Sequence, residues 1–571
     1  MRRSARLTIV LAAVAAAGAL GSIAASCDRE PGGHPSADGG VSRDGGGSVD
    51  ASTSSANLRV IVRDDDNDQL LPSRVDLAAN GRPMALTFSN DTAGVPLGRD
   101  SAGQLGSIAL LTGDGEARIA PGTYDLTIQR GIEYDIARVR VDVPATGIAT
   151  VNVRLIRAFA TQGWVGADLH VHQAPSNDSD VPAQDRVVSL VTEGIEVVAA
   201  ADHNENFDLA GATRTLDMER WMFAISGNEV SLDTGHFNIF PVPYDAALPH
   251  GGSPMINANW DIAGMLATFR APPEDEITQI NHPRLISPPS YFTTVGWDPS
   301  TGAVARPPFV LDFDAVEILN GIEAKREDIE QILKDWLGLL ERGHVLTATG
   351  NSDTHRIASA KAGSPRTFLR VPDDRPAMLT LEAVRQAIRG RHVIATSGPW
   401  LVVTVNDSAG PGDSVTVPAG NDVRLHIEID AANFVPVDRL RVFANGNTVV
   451  ASRTIGSSIN HVRFDETLTI PRPAVDTFYV VVADANTPLP RELAGRMDRD
   501  TFSYAIANPV FVDVDGLAPF QFPMPRLPAS LTSGLPRPDL TPIPWWRELD
   551  HASVIEFDDC EMEGLEVGET P

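Results

Sequence analysis

The chain has 571 residues, 43% hydrophobic and 21% charged, which are ordinary proportions for a globular protein with room for three or four domains. Its 46 basic and 75 acidic side chains give a formal charge of −29. A surface so acidic repels phosphodiester backbones, and with no local basic patch in the sequence it argues for no nucleic acid among the partners. Two cysteines, Cys27 and Cys560, exclude a disulfide framework.

Residues 1–27 read as an export signal: Arg2, Arg3 and Arg6 precede an apolar run that ends in small residues. "AASC" resembles a bacterial lipobox, which makes Cys27 the lipid-bearing start of the mature chain; cleavage that leaves a free protein is the alternative. No other apolar run reaches 18 residues, so that lipid is the expected membrane attachment of a cell-envelope protein facing the periplasm or the cell surface. Residues 28–56 are Gly-, Ser- and Asp-rich and read as a flexible linker. Over 57–157 short runs such as "LRVIVRD" and "ARVRVDV" alternate apolar and polar residues, the pattern of a β-sandwich.

Residues 158–397 alternate apolar runs with helical patterns, as βα units do. Three helices are expected. "PAQDRVVSLVTEG" carries Pro182 in its first turn and stops at Gly194; "REDIEQILKDWLGLLERG" places Ile329, Ile332, Leu333, Trp336, Leu339 and Leu340 on one face. "TLEAVRQAIRG" is capped by Thr380 and ended by Gly390. Residues 398–515 return to strands, with Asn445 and Gly446 at a hairpin turn, and suggest a second β-sandwich. The two sandwiches could contact glycan or protein. Residues 516–571 form a Pro-rich and then acidic tail.

The central block has a regularity at its strand ends. "GWVGADLHVH" ends in His170 and His172, "IEVVAAADHN" in Asp202 and His203, and "MFAISGNEVS" in Glu229. "GHFNIFPV" begins with His236, "ITQINHPR" ends in His282, "AVEILNG" in Asn320, and "HVLTATGNSDTH" in Asp353 and His355. A barrel of parallel strands gathers its site at the C-terminal strand ends. Residues i and i+2 of a strand share a face, so His170 and His172 point together with Asp168, which could orient one imidazole. Asp353 and His355 repeat the spacing, and Asp353 could act as general base. Imidazole and carboxylate donors together suit Zn, Mn or Fe, and no cysteine in the block offers a thiolate site. Arg284, Arg356 and Arg366 each follow a motif and are candidates for binding an anion; Arg284 and Arg366 are taken here as catalytic with Asp353.

"DLHVH…DS", "ADHN", "GNEVS…GHFN", "NHPR" and "GNSDTH" resemble, in order, the motifs of the PHP (polymerase and histidinol phosphatase) superfamily, and more closely its carbaryl-hydrolase-like branch of exported metallohydrolases. The resemblance implies an α/β fold, a distorted (β/α)7 PHP barrel flanked by the two β-sandwiches. It implies two or three divalent metal ions as cofactors, held by His170, His172, Asp178, His203, Glu229, His236, His282, Asp353 and His355. Asp178 stands eight residues after His170, where many of these enzymes have an acidic residue at seven, so Asp180 and Asn177 stay open for the same role. The expected activity is phosphoester hydrolysis of a small molecule by a metal-bridging hydroxide, with carboxylic or carbamate ester hydrolysis on the same site as the alternative. An amidohydrolase barrel also opens with His-x-His, but it needs a late bridging lysine, and "EAKRED" and "ILKDW" fall in a helix. A non-catalytic surface binding lipoprotein is the reading from another class.

Overall fold

In the computed structural model, which describes residues 56–90, 107–257, 260–270, 276–284, 290–321, 325–357, 361–490, 500–517 and 519–532, the alternating runs of the N-terminal segment become strands. Leu58–Asp64 buries every second residue, pairs parallel with Ala149–Leu155 and antiparallel with Asp114–Ala117. Ser73–Ala79, Gly122–Gln129 and Ala137–Val143 form an antiparallel sheet beside it. Val60, Val62, Val75, Leu77, Leu126, Ile128, Val151 and Val153 fill the space between the two sheets. The export signal, Cys27, the linker up to residue 55 and the tail beyond residue 532 lie outside the described residues.

The central strands divide between two sheets. In the first, Phe223–Ile225, Val197–Ala200 and Trp164–Val171 run parallel, and Arg366–Arg370 and then Val393–Thr396 add antiparallel. In the second, Asn228–Leu232, Gly235–Phe240 and Ile277–Ile280 are antiparallel, while Ala315–Asn320 and Thr347–Asn351 continue parallel. Single parallel bridges at Val171↔Thr354 and His203↔Glu229 join the two sheets. The architecture is mixed α/β with many strands and few helices, and the (β/α)7 barrel expected from the resemblance is not shown. One physical reason lies between Leu232 and Gly235: two residues can close a hairpin but cannot make the crossover that a parallel neighbour needs.

The first sheet does not end at Thr396. Phe502–Ala507 pairs with Val393–Thr396, and Thr477–Pro488 and Arg439–Ala444 follow. Below this extension lies the three-stranded sheet of Trp400–Val405, Val423–Asp430 and Val462–Ile470; Leu401, Val403, Ile427, Ile429, Val442, Val481 and Ala505 close the core between them. Above it, Phe478, Val480, Val482 and Ile506 meet Leu333, Trp336 and Leu337 of the helix Arg326–Leu340. That helix buries the apolar face its spacing predicts, and Trp336 Nε1 donates to the Leu346 carbonyl at 2.8 Å. Ala183–Thr192 follows Pro182, which occupies the cap rather than the first turn, and Leu381–Arg389 starts with the Thr380 hydroxyl accepting from Ala383 N–H at 3.2 Å. Asn445 and Gly446 take φ of 45° and 98° at the hairpin, the left-handed conformation this pair of residues tolerates. The start of the tail packs: Leu531 accepts from Phe309 N–H, and Met524 N–H donates to Glu341.

Candidate metal centre

Trp164–Val171 delivers His170 and His172 to the line where the two sheets meet, and its backbone is fixed there from the other sheet. Asp353 N–H donates to the His170 carbonyl at 2.9 Å, and His172 N–H donates to the Thr354 carbonyl at 3.1 Å. Arg186, fully buried in the helix Ala183–Thr192, donates to the carbonyls of His172 at 2.8 Å and Thr354 at 3.0 Å, so one guanidinium clips both ligand-bearing segments. Burial pulls its pKa down to about 10, which still leaves it charged at neutral pH.

Glu229 sits at the centre. Its Oε1 lies 3.3 Å from His170 Nε2, 3.3 Å from His236 Nδ1 and 3.2 Å from His282 Nε2; its Oε2 lies 3.0 Å from His203 Nδ1 and 3.5 Å from His172 Nε2. Asp353 is the second hub, with Oδ1 at 3.2 Å from His170 Nε2 and 3.0 Å from His172 Nε2. Asp178 forms an outer group: its Oδ2 stands 3.1 Å from His203 Nε2 and 2.9 Å from His355 Nε2. All nine expected ligand residues are therefore brought together. Four overlapping donor sets, His170–Glu229–His282, His170–His172–Asp353, His203–Glu229–His236 and His172–Asp178–His203–His355, each keep their donor atoms within 4.8 Å of one another. Asp180, the alternative to Asp178, is 92% exposed and faces Arg356 instead.

The donor set fits divalent cations. His170 Nε2, His172 Nε2, Glu229 Oε2, His236 Nδ1 and Asp353 Oδ1 are buried yet carry no hydrogen bond among the described residues. Burying so many polar atoms that face one another without well-directed hydrogen bonds is costly, and a shared cation would remove that cost. The electrostatics agree. Burial opposes protonation of His170, but Asp353, Glu229 and Glu317 outweigh it and hold its pKa well above the ordinary value. Burial likewise opposes ionisation of Glu229 and Asp353, but the surrounding imidazoles hold both well below the carboxylate range. His203 is pushed up to about 10, Glu229 and Asp178 outweighing its burial. His172, buried and next to His355, falls to about 3. Such a pocket concentrates negative charge and demands positive charge in return. Two of the expected ligand residues also hold left-handed backbones, His282 at φ 25° and Asp353 at φ 50°, a cost usually found at functional sites.

The orienting residues differ from the expected one. Asp168 does not touch an imidazole side chain; it accepts from Ser352 N–H, Ser352 Oγ, Gly363 N–H and the His170 backbone N–H. Glu317 is the carboxylate that faces the His170 ring, 3.1 Å from Nδ1, while also accepting from His282 N–H at 3.0 Å, Asn320 at 2.7 Å and Asn351 at 3.0 Å. The sequence signal for it was an acidic residue inside the apolar run "AVEILN". Asn281 was also missed: it donates to Glu229 Oε1 at 2.8 Å and to Asn238 at 2.7 Å. Ser176 lies between His172 Nδ1 at 3.2 Å and Asp178, and Ser231 Oγ is 2.7 Å from His203 Nδ1.

Two of the arginines expected at the site are elsewhere engaged. Arg284 grips Asp335 with two bonds of 2.7 Å and gives a third to the Trp297 carbonyl. Arg366 is fully buried and donates to Glu133 at 3.1 Å, Gly363 O at 3.0 Å and Glu193 O at 2.8 Å, tying the N-terminal sandwich to the central block. A residue next to a motif in sequence turns away when a buried acceptor on another element claims its donors.

No family model matches the chain, and no curated protein matches it. Among solved structures, the chain is similar to a two-domain protein of Bacteroides vulgatus containing a predicted PHP-like metal-dependent phosphoesterase, at 15% identity over 60% of this chain and 96% of that one, with a TM-score of 0.34. It is also similar to Endonuclease Q in complex with a 27-mer duplex substrate carrying an abasic lesion, at 16% identity over 40% of this chain and 57% of that one, TM-score 0.26. The lesion-specific endonuclease of Pyrococcus furiosus gives 16% identity, 40% and 56% coverage and the same TM-score. The exclusion of nucleic acid drawn from the net charge is corrected here, since two of these neighbours are endonucleases and one holds a DNA duplex at its active site. Formal charge summed over a whole chain says little about the local field, which bound cations can reverse.

Proposed function

We propose that the chain is a metal-dependent hydrolase of the PHP type that cleaves phosphoesters, using two or three Zn, Mn or Fe ions. The observation that carries this reading is the set of buried, unbonded imidazole and carboxylate atoms around Glu229 and Asp353. Bound divalent cations supply Lewis acidity and lower the pKa of water in the site. The residues then divide the work by position. His170, Glu229 and Glu317 close the bottom of the site, each buried, while Asp178, 43% exposed, marks the side from which substrate enters. Asp353 is kept ionised by its imidazole neighbours; its Oδ1, facing His170 and His172, would hold a cation, and its Oδ2, to which Asn320 donates at 3.1 Å, is the oxygen left to accept a proton from water. Glu317 and Ser231 hold the His170 and His203 rings in place. Residues 1–27 support an exported chain anchored through Cys27, which the mass of the mature N-terminus tests.

The test is metal content by plasma mass spectrometry together with turnover of p-nitrophenyl phosphate, bis-p-nitrophenyl phosphate, an abasic duplex and 1-naphthyl methylcarbamate. The His170→Ala/His172→Ala double variant serves as control. Two or three metals per chain and phosphoester turnover, both reduced in the variant, are expected. Turnover confined to the carbamate would transfer the activity to the ester reading. A protein that takes up no Zn, Mn or Fe would refute the site.

A further inference from the structure

The hydrolase reading leaves open which side chain holds the anionic group of the substrate. Of the three arginines that follow ligand motifs, Arg284 and Arg366 are spent on buried carboxylates and carbonyls. Arg356 is different. Its Nη1 donates to the carbonyls of Asp178 at 2.7 Å and His355 at 3.0 Å, two members of the outer donor group. Its Nε and Nη2 carry no hydrogen bond among the described residues, and its side chain is 52% exposed. Among the described residues, the carboxylate in ion-pair range of it is Asp180, 3.6 Å away and itself 92% exposed, a pairing that water screens heavily.

The position is also the right one. The outer group of His172, Asp178, His203 and His355 is the half of the centre that reaches solvent, through the exposed Asp178 carboxylate. A planar guanidinium anchored by one nitrogen presents the other two as a fork, the geometry that grips two oxygens of one phosphoryl group. Anchoring on main-chain carbonyls fixes that fork before substrate arrives, so less side-chain entropy is lost on binding.

We infer that Arg356 binds the phosphoryl oxygens of the substrate at the outer donor group. The inference rests on the phosphoester reading above. The recognised chemistry is a phosphoryl group with at least two free oxygens, either a small phosphomonoester or the terminal phosphate of an oligonucleotide.

The test uses the metal-loaded full chain and three variants, Arg356→Lys, Arg356→Gln and Arg356→Ala. Inorganic phosphate binding is measured by calorimetry, metal content by mass spectrometry, and KM and kcat with p-nitrophenyl phosphate and with a 5′-phosphorylated oligonucleotide. Glutamine keeps an amide donor, though two bonds short of the Nη1 position, while removing the charge, and metal content read on the same variant separates anion binding from loop fastening. With metal content unchanged, phosphate affinity is expected to fall about ten- to a hundredfold in Arg356→Gln and Arg356→Ala, with Arg356→Lys between them and wild type. KM is expected to rise for whichever of the two substrates the protein uses. Unchanged phosphate affinity in Arg356→Gln would overturn the inference, as would loss of metal from that variant, which would make Arg356 a fastener of the ligand loops. If the variants lose phosphate binding but wild type turns over no phosphoester, Arg356 stands as a phosphate-binding residue while the proposed activity fails, and with it the claim that the bound phosphoryl group is a substrate's. If wild type turns over phosphoesters and the variants match it in KM, the activity stands and the inference fails.

Discussion

Replacing Glu317 with glutamine keeps its shape and removes its charge, and the structure dictates two bad outcomes between which the amide must choose. Oε1 faces His170 Nδ1 and the Asn351 amide, whereas Oε2 faces His282 N–H and the Asn320 amide. If the new NH2 takes the Oε1 place, His170 Nδ1 must become the acceptor. The ring proton then moves to Nε2, the atom that faces Glu229 and Asp353, and His170 stops being a ligand. If the NH2 takes the Oε2 place, it opposes the His282 backbone donor, which cannot rotate away, and one buried unsatisfied group costs about 1–3 kcal/mol. Loss of the partner behind a ligating histidine weakens metal binding roughly 10–100-fold. Glu317→Gln is therefore expected to bind Zn or Mn about tenfold or more weakly in a chelator competition titration, with a lower unfolding midpoint in the metal-free state. Metal affinity within about threefold of wild type and an unchanged midpoint would refute the reasoning.

Arg284→Ala leaves Asp335 buried with Gln331 at 3.3 Å as its remaining side-chain donor among the described residues, and is expected to cost about 3–5 kcal/mol in urea unfolding while activity per folded molecule holds. Arg366→Ala should behave alike, since it strands the Gly363 and Glu193 carbonyls; a fall in kcat with no change in urea midpoint, in either variant, would return that arginine to the site. Glu196 is a half-buried acid whose pKa rises to about 8, through desolvation first and the neighbouring Glu133 second. Because the folded value exceeds the unfolded one of about 4.5, stability falls as pH climbs from 4.5 towards 8 and the loss is complete above it. Glu196→Gln, which can still accept from Gly166 N–H, should flatten that decline in thermal midpoint between pH 5 and 8; a slope equal to wild type would sink this account.

Most of the expected ligand residues were legible because they stand where an apolar run stops, and because the i, i+2 spacing of His170 and His172 is meaningful on a strand; His236 opens a run instead, and Asp178 came only from the family resemblance. Glu317 was not, since its partner His170 lies 147 positions away and no local pattern announces a contact of that range. Arg284 and Arg366 show the converse error, where closeness in sequence to a motif was read as closeness in space. The expected barrel failed at strand direction. An apolar stretch such as "TFL" reads the same whether its neighbour runs parallel or antiparallel, and Arg366–Arg370 turned out antiparallel on both edges. The alternating strands of the N-terminal segment and the amphipathic face of Arg326–Leu340 needed no such long-range information, and both formed as their spacing implied.

The pairing of Val393–Thr396 with Phe502–Ala507 bears on how this protein can be cut. A gene fragment stopping at residue 397 would expose the backbone of Ile394, Ala395 and Thr396 where Ala507, Ile506 and Ala505 now cover it. Raw strand edges of that kind recruit other chains. The same cut would remove Asn508, which accepts from Ala348 N–H and donates to the Ala348 and Val393 carbonyls. The strand that leads to Asp353 is thus buttoned down by a residue more than 150 positions downstream. In protein-engineering terms the central block is not a portable cassette: a transplant that works has to carry its C-terminal strands along.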